Sequence, residues 1–155
     1  MTHSELVEIG YKWCKNKCSV VVTEIVSVNS WGEIPDVIGF NSIGTFLLEA
    51  KTSLSDFYKD SNKDCRKIIE NGMGDWRFYI AEKGLISVDK LPNGWGLIEI
   101  NENKNARTVF NPFGKGNIYS KWKRNKKCQK GELQLIYSIL RRLSEKKLIT
   151  KENLT

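Results

Sequence analysis

Two strand-forming segments set four residues apart constrain this chain more than any other feature of it. Ile34 to Phe40 and Thr45 to Lys51 are rich in β-branched, aromatic and large apolar residues, and Asn41-Ser42-Ile43-Gly44 between them is a polar connection of hairpin length. Closing the hairpin with Phe40 against Thr45 sets Asp36 across from Glu49 and Ile34 across from Lys51. Side chains so placed have Cβ atoms about 4.5–5.5 Å apart, and two carboxylates at that distance destabilise a sheet unless a cation lies between them. Removing one of the two acids is therefore expected to cost the metal-free protein nothing.

Alternation along the second strand brings Lys51 to the face of Glu49. Ser19 to Val28 is almost continuously β-branched and reads as the strand before the hairpin, with Glu24 on one face beside Val20, Val22, Val26 and Val28. A three-residue turn at Ser30-Trp31-Gly32 places Glu24 diagonal to Asp36, so that three acids and one Lys converge. Hard oxygen ligands grouped in this way suit Mg²⁺ or Mn²⁺, which keeps several waters and completes its shell from substrate phosphate. The alternative is that Lys51 does no more than neutralise a surface acid pair.

Helices bracket these strands. Ser4 to Lys17 carries Leu6, Val7, Ile9, Tyr11, Trp13 and Cys14 at amphipathic spacing behind a Ser4 cap. Ser53-Leu54-Ser55-Asp56 opens a second helix to about Glu70, with Leu54, Phe57, Tyr58, Cys65, Ile68 and Ile69 on its inner face, ended by Gly72-Met73-Gly74. Asp56, Lys59, Asp60, Lys63 and Lys67 fall on one polar face of it. Trp76 to Ala81, Trp95 to Ile100 and Arg107 to Phe110 read as further strands. Gly131 to Leu148 closes the chain as a helix whose Leu133, Ile136, Tyr137, Leu140 and Leu143 are expected to face the core. The order αβββαβ, then β, β and α, with 40% apolar and 28% charged residues, predicts one α/β or α+β layered domain over 1–155. Its core spans about 4–100, with a basic extension over 104–155.

Several chemistries are argued against. The single His, His3, lies at the N-terminus where fraying is expected, which disfavours His-metal nucleases, zinc hydrolases and His-based triads. Cys14, Cys18, Cys65 and Cys128 form no CxxC pair and read as free thiols. There is no GxSxG, and Gly39 to Thr45 has two glycines but no Lys before the Thr, so nucleotide triphosphate hydrolysis is not expected. No apolar run approaches the roughly 18 residues of a membrane span, and the first ten residues carry acids rather than Lys or Arg. An intracellular, cytoplasmic protein of bacterial or phage-like type is expected, with no membrane partner.

Charge is unevenly divided. Residues 1–103 hold eleven Lys/Arg against fifteen Asp/Glu, a net of −4, whereas residues 104–155 hold fourteen against three, a net of +11. The stretch from Lys115 to Lys130 has seven basic residues and no acid, with Tyr119 and Trp122 interleaved and Phe110 and Phe113 just before it. Lys115, Lys121, Lys123, Arg124, Lys126, Lys127 and Lys130 could neutralise phosphates while an aromatic ring stacks on a splayed base, or the stretch could be a solvated loop.

Ile34-Pro35-Asp36, followed by Glu49-Ala50-Lys51, with an acid in the preceding strand and a helix after, resembles the PD-(D/E)XK nuclease superfamily. Ser55-Asp56-Phe57 to Asp60, with Lys63 beyond, resembles more loosely its MmcB-like DNA-repair branch, though the spacing from Asp60 to Lys63 is one residue longer than that pattern. The likeness covers about half the chain, and residues 101–155 match no motif. It implies a restriction-endonuclease-like αβββαβ core, a central mixed sheet flanked by helices, and a Mg²⁺- or Mn²⁺-dependent endonuclease cutting DNA in repair, recombination or mobile-element and phage biology. It further implies that Asp36, Glu49 and the Ala50 carbonyl bind the metal and that Lys51 orients or deprotonates the attacking water. Glu24 supplies an outer or second ligand, and Lys63 touches the scissile phosphate. A homodimer is expected if both strands are cut. The rival readings are an RNA nuclease, a non-cleaving nucleic-acid-binding or regulatory protein on the same fold, and a small structural or inhibitory protein whose basic tail binds an acidic partner.

Overall fold

The computed structural model describes all 155 residues. Helix α1, His3–Lys15, begins at a capping box in which the Thr2 hydroxyl accepts from Glu5 N–H and the Glu5 carboxylate accepts from Thr2 N–H. Strands β1 (Val20–Thr23), β2 (Val37–Asn41) and β3 (Gly44–Lys51) follow, then helices α2 (Leu54–Ser61) and α3 (Asp64–Lys67). Strands β4 (Trp76–Glu82), β5 (Trp95–Ile100) and β6 (Ala106–Phe110) precede α4 (Gln129–Glu145) and the short α5 (Lys151–Leu154). The six strands lie in sequence order in one open mixed sheet. β1, β2 and β3 are antiparallel, β3, β4 and β5 parallel, and β5 and β6 antiparallel. The parallel partner of β3 is thus reached by the crossover that carries α2 and α3, as a parallel connection requires.

Alternation divides the sheet into two faces. Leu48 and Ala50 of β3, with Phe78 and Ile80 of β4, pack against α1 through Leu6, Val7 and Cys14. Leu47, Tyr79 and Leu97 face the other way, onto Phe57 of α2, Met73 and Leu135 of α4. Both layers exclude water from apolar surface at roughly 25 cal/mol per Å², the main driving force for the fold. No helix is long and apolar enough to cross a membrane.

The hairpin register is as expected: Phe40 pairs Thr45 and Val37 pairs Leu48, and the loop tightens to Ser42-Ile43 because Asn41 pairs Gly44. Four expectations change. β1 stops at Thr23 because Glu24 adopts a left-handed conformation (φ +50°), so the alternation through Val28 does not exist. β1 pairs Thr23 with Val37, which places Glu24 directly across from Asp36 rather than diagonal to it, and residues 25–35 form a wide excursion in place of a three-residue turn. The long second helix breaks after Ser61, since Lys63 is extended (ψ 146°) and starts α3 anew. That break leaves Leu54, Tyr58 and Ile68 exposed and buries Asp60, which helical spacing alone puts on a solvated face. Finally, α4 turns inward its Gly131, Glu132, Leu135 and Ser138, leaving Leu133, Tyr137 and Leu140 exposed. Glu132 decides that rotation: its carboxylate accepts from Thr45 Oγ1 at 2.7 Å and Gly74 N–H at 2.8 Å and pairs with Lys127.

Candidate functional site

The β2–β3 register carried one residue past Val37 and Leu48 brings Asp36 and Glu49 opposite each other at the strand ends. Asp36 Oδ2 accepts from Ala50 N–H at 2.7 Å, which fixes the carboxylate and leaves Oδ1 turned outward. Across from it, Glu24 donates its N–H to the Asp36 carbonyl at 3.1 Å, the last rung of the β1–β2 ladder. A non-glycine residue held in the left-handed region costs about 1–3 kcal/mol, and here that conformation brings the Glu24 side chain toward Asp36.

His3 completes this corner and corrects the expectation that the N-terminus could not supply an imidazole. The capping box orders the first turn of α1, and His3 Nε2 lies 3.3 Å from Glu24 Oε1 and 3.5 Å from Asp36 Oδ1. Neither sequence spacing nor periodicity relates residue 3 to residues 24 and 36. The only sequence signal is Thr2 with Glu5, which marks an ordered helix start and therefore a fixed His3.

Behind this corner lies a buried ionic network that sequence reasoning missed. Arg66 of α3 is the hub: its guanidinium pairs with Glu33, lies 2.9 Å from Glu49 Oε1 and 3.0 Å from Asp60 Oδ2, and stacks over Trp95. Glu33 also accepts from Met73 N–H at 2.6 Å, and Asp60 from the Tyr79 hydroxyl at 2.8 Å. Lys51 is itself only 4% exposed, with Nζ 3.4 Å from Glu49 and 3.6 Å from Asp60, so it does not sit on the surface as a simple neutraliser. Lys63 pairs with Asp60 at 2.7 Å while remaining half exposed. Glu33 and Arg66 escaped notice because charged residues are ordinarily solvated, and burial of either makes sense only with the other present.

The electrostatics follow from this crowding. Burial pushes the Glu49 carboxyl up to about 8, Arg66 opposing and the neighbouring acids Asp36 and Asp60 reinforcing the rise. Burial also raises Asp36, against the pull of the Ala50 N–H, Lys51 and His3. At Asp60 burial is outweighed by Arg66, Lys51 and Lys63, which hold its carboxyl below the ordinary range. The crowded acids are groups that could take a divalent ion, although Glu49 Oε1 already has the Arg66 guanidinium at 2.9 Å and Asp36 Oδ1 faces His3 Nε2 at 3.5 Å. Asp36, Glu49, Glu24 and the Ala50 carbonyl are the residues that could hold it, with His3 added. A cavity of about 720 Å³, lined by Met1, Glu82, Lys83, Ile100 and Lys104 among others, shares no residue with these acids.

The basic stretch is built differently from the expectation. Trp122 is 8% exposed and lies in the α1-side core with Phe113, and Tyr119 packs edge-on to Phe46 and Trp122. Trp122 is therefore an anchor that fastens the segment to the sheet and is not available to stack on a base. Arg124 and Lys127 pair with Asp75 at 3.2 and 2.6 Å, and Lys126 reaches Glu70 at 3.4 Å. Lys115, Lys121, Lys123 and Lys130 remain exposed and pair with no acid.

No protein-family model matches the chain, and no curated protein is similar to it. Among solved structures, the chain is similar to an SPO1766 protein of unknown function from Silicibacter pomeroyi, at 18% identity and a TM-score of 0.58, over 92% of this chain and 90% of that one. At that identity the likeness concerns the fold alone.

Proposed function

We propose that the protein is a divalent-metal-dependent endonuclease of the PD-(D/E)XK type that hydrolyses DNA phosphodiester bonds, with a restriction-endonuclease-like core formed by α1 to β4. The observation that carries this reading is the facing pair Asp36 and Glu49 at the strand ends, with Lys51 buried beside Glu49. Asp36, Glu49 and the Ala50 carbonyl would hold the metal, Glu24 standing at its outer side. Once bound, such an ion lowers the pKa of water toward neutrality and stabilises charge on the phosphoryl oxygens.

The protein's own groups do the rest. Asp36 is pinned by the Ala50 N–H and cannot swing away. Lys51, whose alternatives are closed off by burial, holds its ammonium where an attacking water would approach Glu49, and Asp60 keeps that ammonium in place. Lys63, tethered to Asp60 but open to solvent, reaches the phosphate being cut. Lys115, Lys121, Lys123 and Lys130 would hold the flanking backbone by charge alone.

One observation favours a second reading. Arg66 already gives Glu49, Asp60 and Glu33 a shared counter-ion, so the network is stable as an ion cluster and suits a protein that binds nucleic acid without cutting it. The two are separated by incubating the protein with circular, linear, single-stranded and branched DNA and with RNA, in Mg²⁺, in Mn²⁺ and in chelator. Metal-dependent cleavage that Asp36→Asn abolishes supports the nuclease. Intact substrates of every form, bound with measurable affinity, favour the binder.

A further inference from the structure

Three lysines are buried or half-buried, Lys17, Lys51 and Lys127. Lys51 and Lys127 each face two carboxylates, whereas Lys17 pairs with none. Its ammonium lies 3.7 Å from the centroid of the Trp13 ring and donates to the Trp13 carbonyl at 3.3 Å. Burial lowers the Lys17 pKa, with the thiols of Cys14 and Cys18 opposing and no acid contributing. A half-buried ammonium without a counter-ion carries a desolvation cost that a bound anion would offset.

Lys17 opens onto a cleft of about 370 Å³ between the C-terminal half of α1 and the segment after β6, a size that suits a small ligand. Trp13, Phe78 and Tyr119 give it flat apolar walls, Lys115 adds a second ammonium, and Thr108 and Asn117 offer a hydroxyl and an amide. No residue lining it is acidic. The outer wall is fixed in place: the Trp122 indole N–H donates to the Lys115 carbonyl at 3.3 Å and the Asn111 amide to the Gly114 carbonyl at 2.9 Å. Gly114 is required there, because a side chain at that position would collide with the Trp122 ring. The cleft shares no residue with the acids near Asp36. His3 stands beside Asp36 at one end of α1, and Trp13 lies about 15 Å further along the helix axis.

We propose that this cleft binds a nucleotide whose base is unpaired, with the phosphate held by Lys17 and Lys115 and the base against Tyr119 and Trp13. Aromatic walls take the face of any base, and clustered ammonium groups suit a phosphate. A base inside a duplex is stacked and paired, and so cannot enter. The inference goes beyond the nuclease reading and does not depend on it, since the cleft holds none of the groups assigned to the metal. A free nucleotide and a single strand present the same chemistry here, and binding measurements separate them.

The test is binding in chelator, where a metal-dependent enzyme cuts nothing, read by tryptophan fluorescence and calorimetry. The probes are thymidine 5′-monophosphate, ribose 5-phosphate, a short oligothymidylate and a blunt DNA duplex. Two variants accompany wild type: Lys17→Met, which keeps an apolar stem on Trp13, and Thr108→Tyr, which fills the mouth of the cleft from an exposed edge strand. Each should weaken oligothymidylate at least about tenfold and leave the duplex affinity and the melting temperature unchanged. Ribose 5-phosphate, which lacks the base, should bind at least about tenfold more weakly than the monophosphate. Equal affinity for monophosphate and oligothymidylate identifies a free nucleotide as the ligand, and tighter binding of the oligothymidylate identifies a strand; both uphold the site. Wild type that binds neither, ribose 5-phosphate bound as tightly as the monophosphate, or wild-type affinity for oligothymidylate in either variant overturns it. If Lys17→Met proves less stable than wild type, Thr108→Tyr decides. Metal-dependent cleavage with no binding in the cleft removes this site alone, whereas binding in the cleft by a protein that cuts nothing upholds it and removes the nuclease reading.

Discussion

Arg66 serves three buried carboxylates with one guanidinium, and its removal leaves Glu33, Glu49 and Asp60 in the protein interior with too few counter-ions. Breaking a buried ion network by deleting one partner costs about 3–5 kcal/mol, and Arg66→Ala should lower stability by that amount in urea unfolding. The same network reverses the expectation drawn from the facing acids alone. Burial raises the Glu49 carboxyl despite its pairs with Arg66 and Lys51, but Glu49→Ala leaves that buried guanidinium and ammonium with one acceptor fewer, so the substitution should destabilise the metal-free protein. A melting temperature no lower than wild type in chelator would show that repulsion from Asp36 outweighs those pairs. Lys51 separates cutting from binding. Under the nuclease reading, Lys51→Ala should reduce the cleavage rate in Mg²⁺ about 10²–10⁴-fold, with DNA affinity in Ca²⁺ little changed. Lys51→Arg should not restore it, because a guanidinium holds its proton and its planar fork does not fit a point-charge position. A Lys51→Ala protein that cuts at the wild-type rate would remove Lys51 from the mechanism.

Besides the Trp122 anchor, the segment between β6 and α4 is tied to the sheet through Asp75. Its carboxylate accepts from Thr45 N–H at 2.9 Å and takes Lys127 and Arg124 as ion partners. Burial alone would raise the Asp75 pKa, but Lys127, Thr45 and Arg124 outweigh it and the pKa is lowered. A carboxylate whose pKa is lower in the folded than in the unfolded chain stabilises the fold above the unfolded value, about 3.9, and loses that contribution as pH falls toward its folded value. Asp75→Asn should therefore be less stable than wild type at pH 7, with the gap closing below about pH 4. A gap that does not change with pH would mean that hydrogen bonding, and not charge, carries the tie. The pairing also divides the basic residues into two groups. Changing Lys115, Lys121, Lys123 and Lys130 to Ala should weaken DNA binding on all sequences alike and lower the salt slope by roughly 0.9 for each phosphate no longer neutralised. Lys127→Ala should act chiefly on stability, since its ammonium is already engaged by Asp75 and Glu132. Equal salt slopes in wild type and the fourfold variant would make the exposed lysines a solvated surface.

Across the whole molecule, the basic third is part of the core and not an appendage to it. Phe113 and Trp122 fill the α1 side of the sheet and Leu135 the other, against strands from the first half of the chain. Trp122→Ala should cost about 3–5 kcal/mol, the range for emptying a buried aromatic position, and unfolding should remain a single transition by near- and far-ultraviolet dichroism. Two transitions would assign residues 113–135 to a separately folding unit. What the sequence by itself determined is whatever depends on neighbours along the chain: α1 and its spacing, the hairpin with Phe40 against Thr45, the facing of Asp36 and Glu49, and the element order through β4. A short loop fixes register, and register fixes which side chains meet, so those features needed no knowledge of the fold. Only the tertiary structure decided the rest. His3 meets Glu24 and Asp36 because α1 folds back over the strand ends, Asp60 is buried because Arg66 arrives to receive it, and α4 turns Glu132 inward because Thr45, Gly74 and Lys127 are waiting there. Asp60 and Glu132 are buried against partners that no helical or strand repeat pairs with them, and the desolvation that such burial costs is offset only when every partner is in place. Periodicity ranks residues by their own hydrophobicity and has no means of registering a partner, so it left the charged residues of this site on the surface.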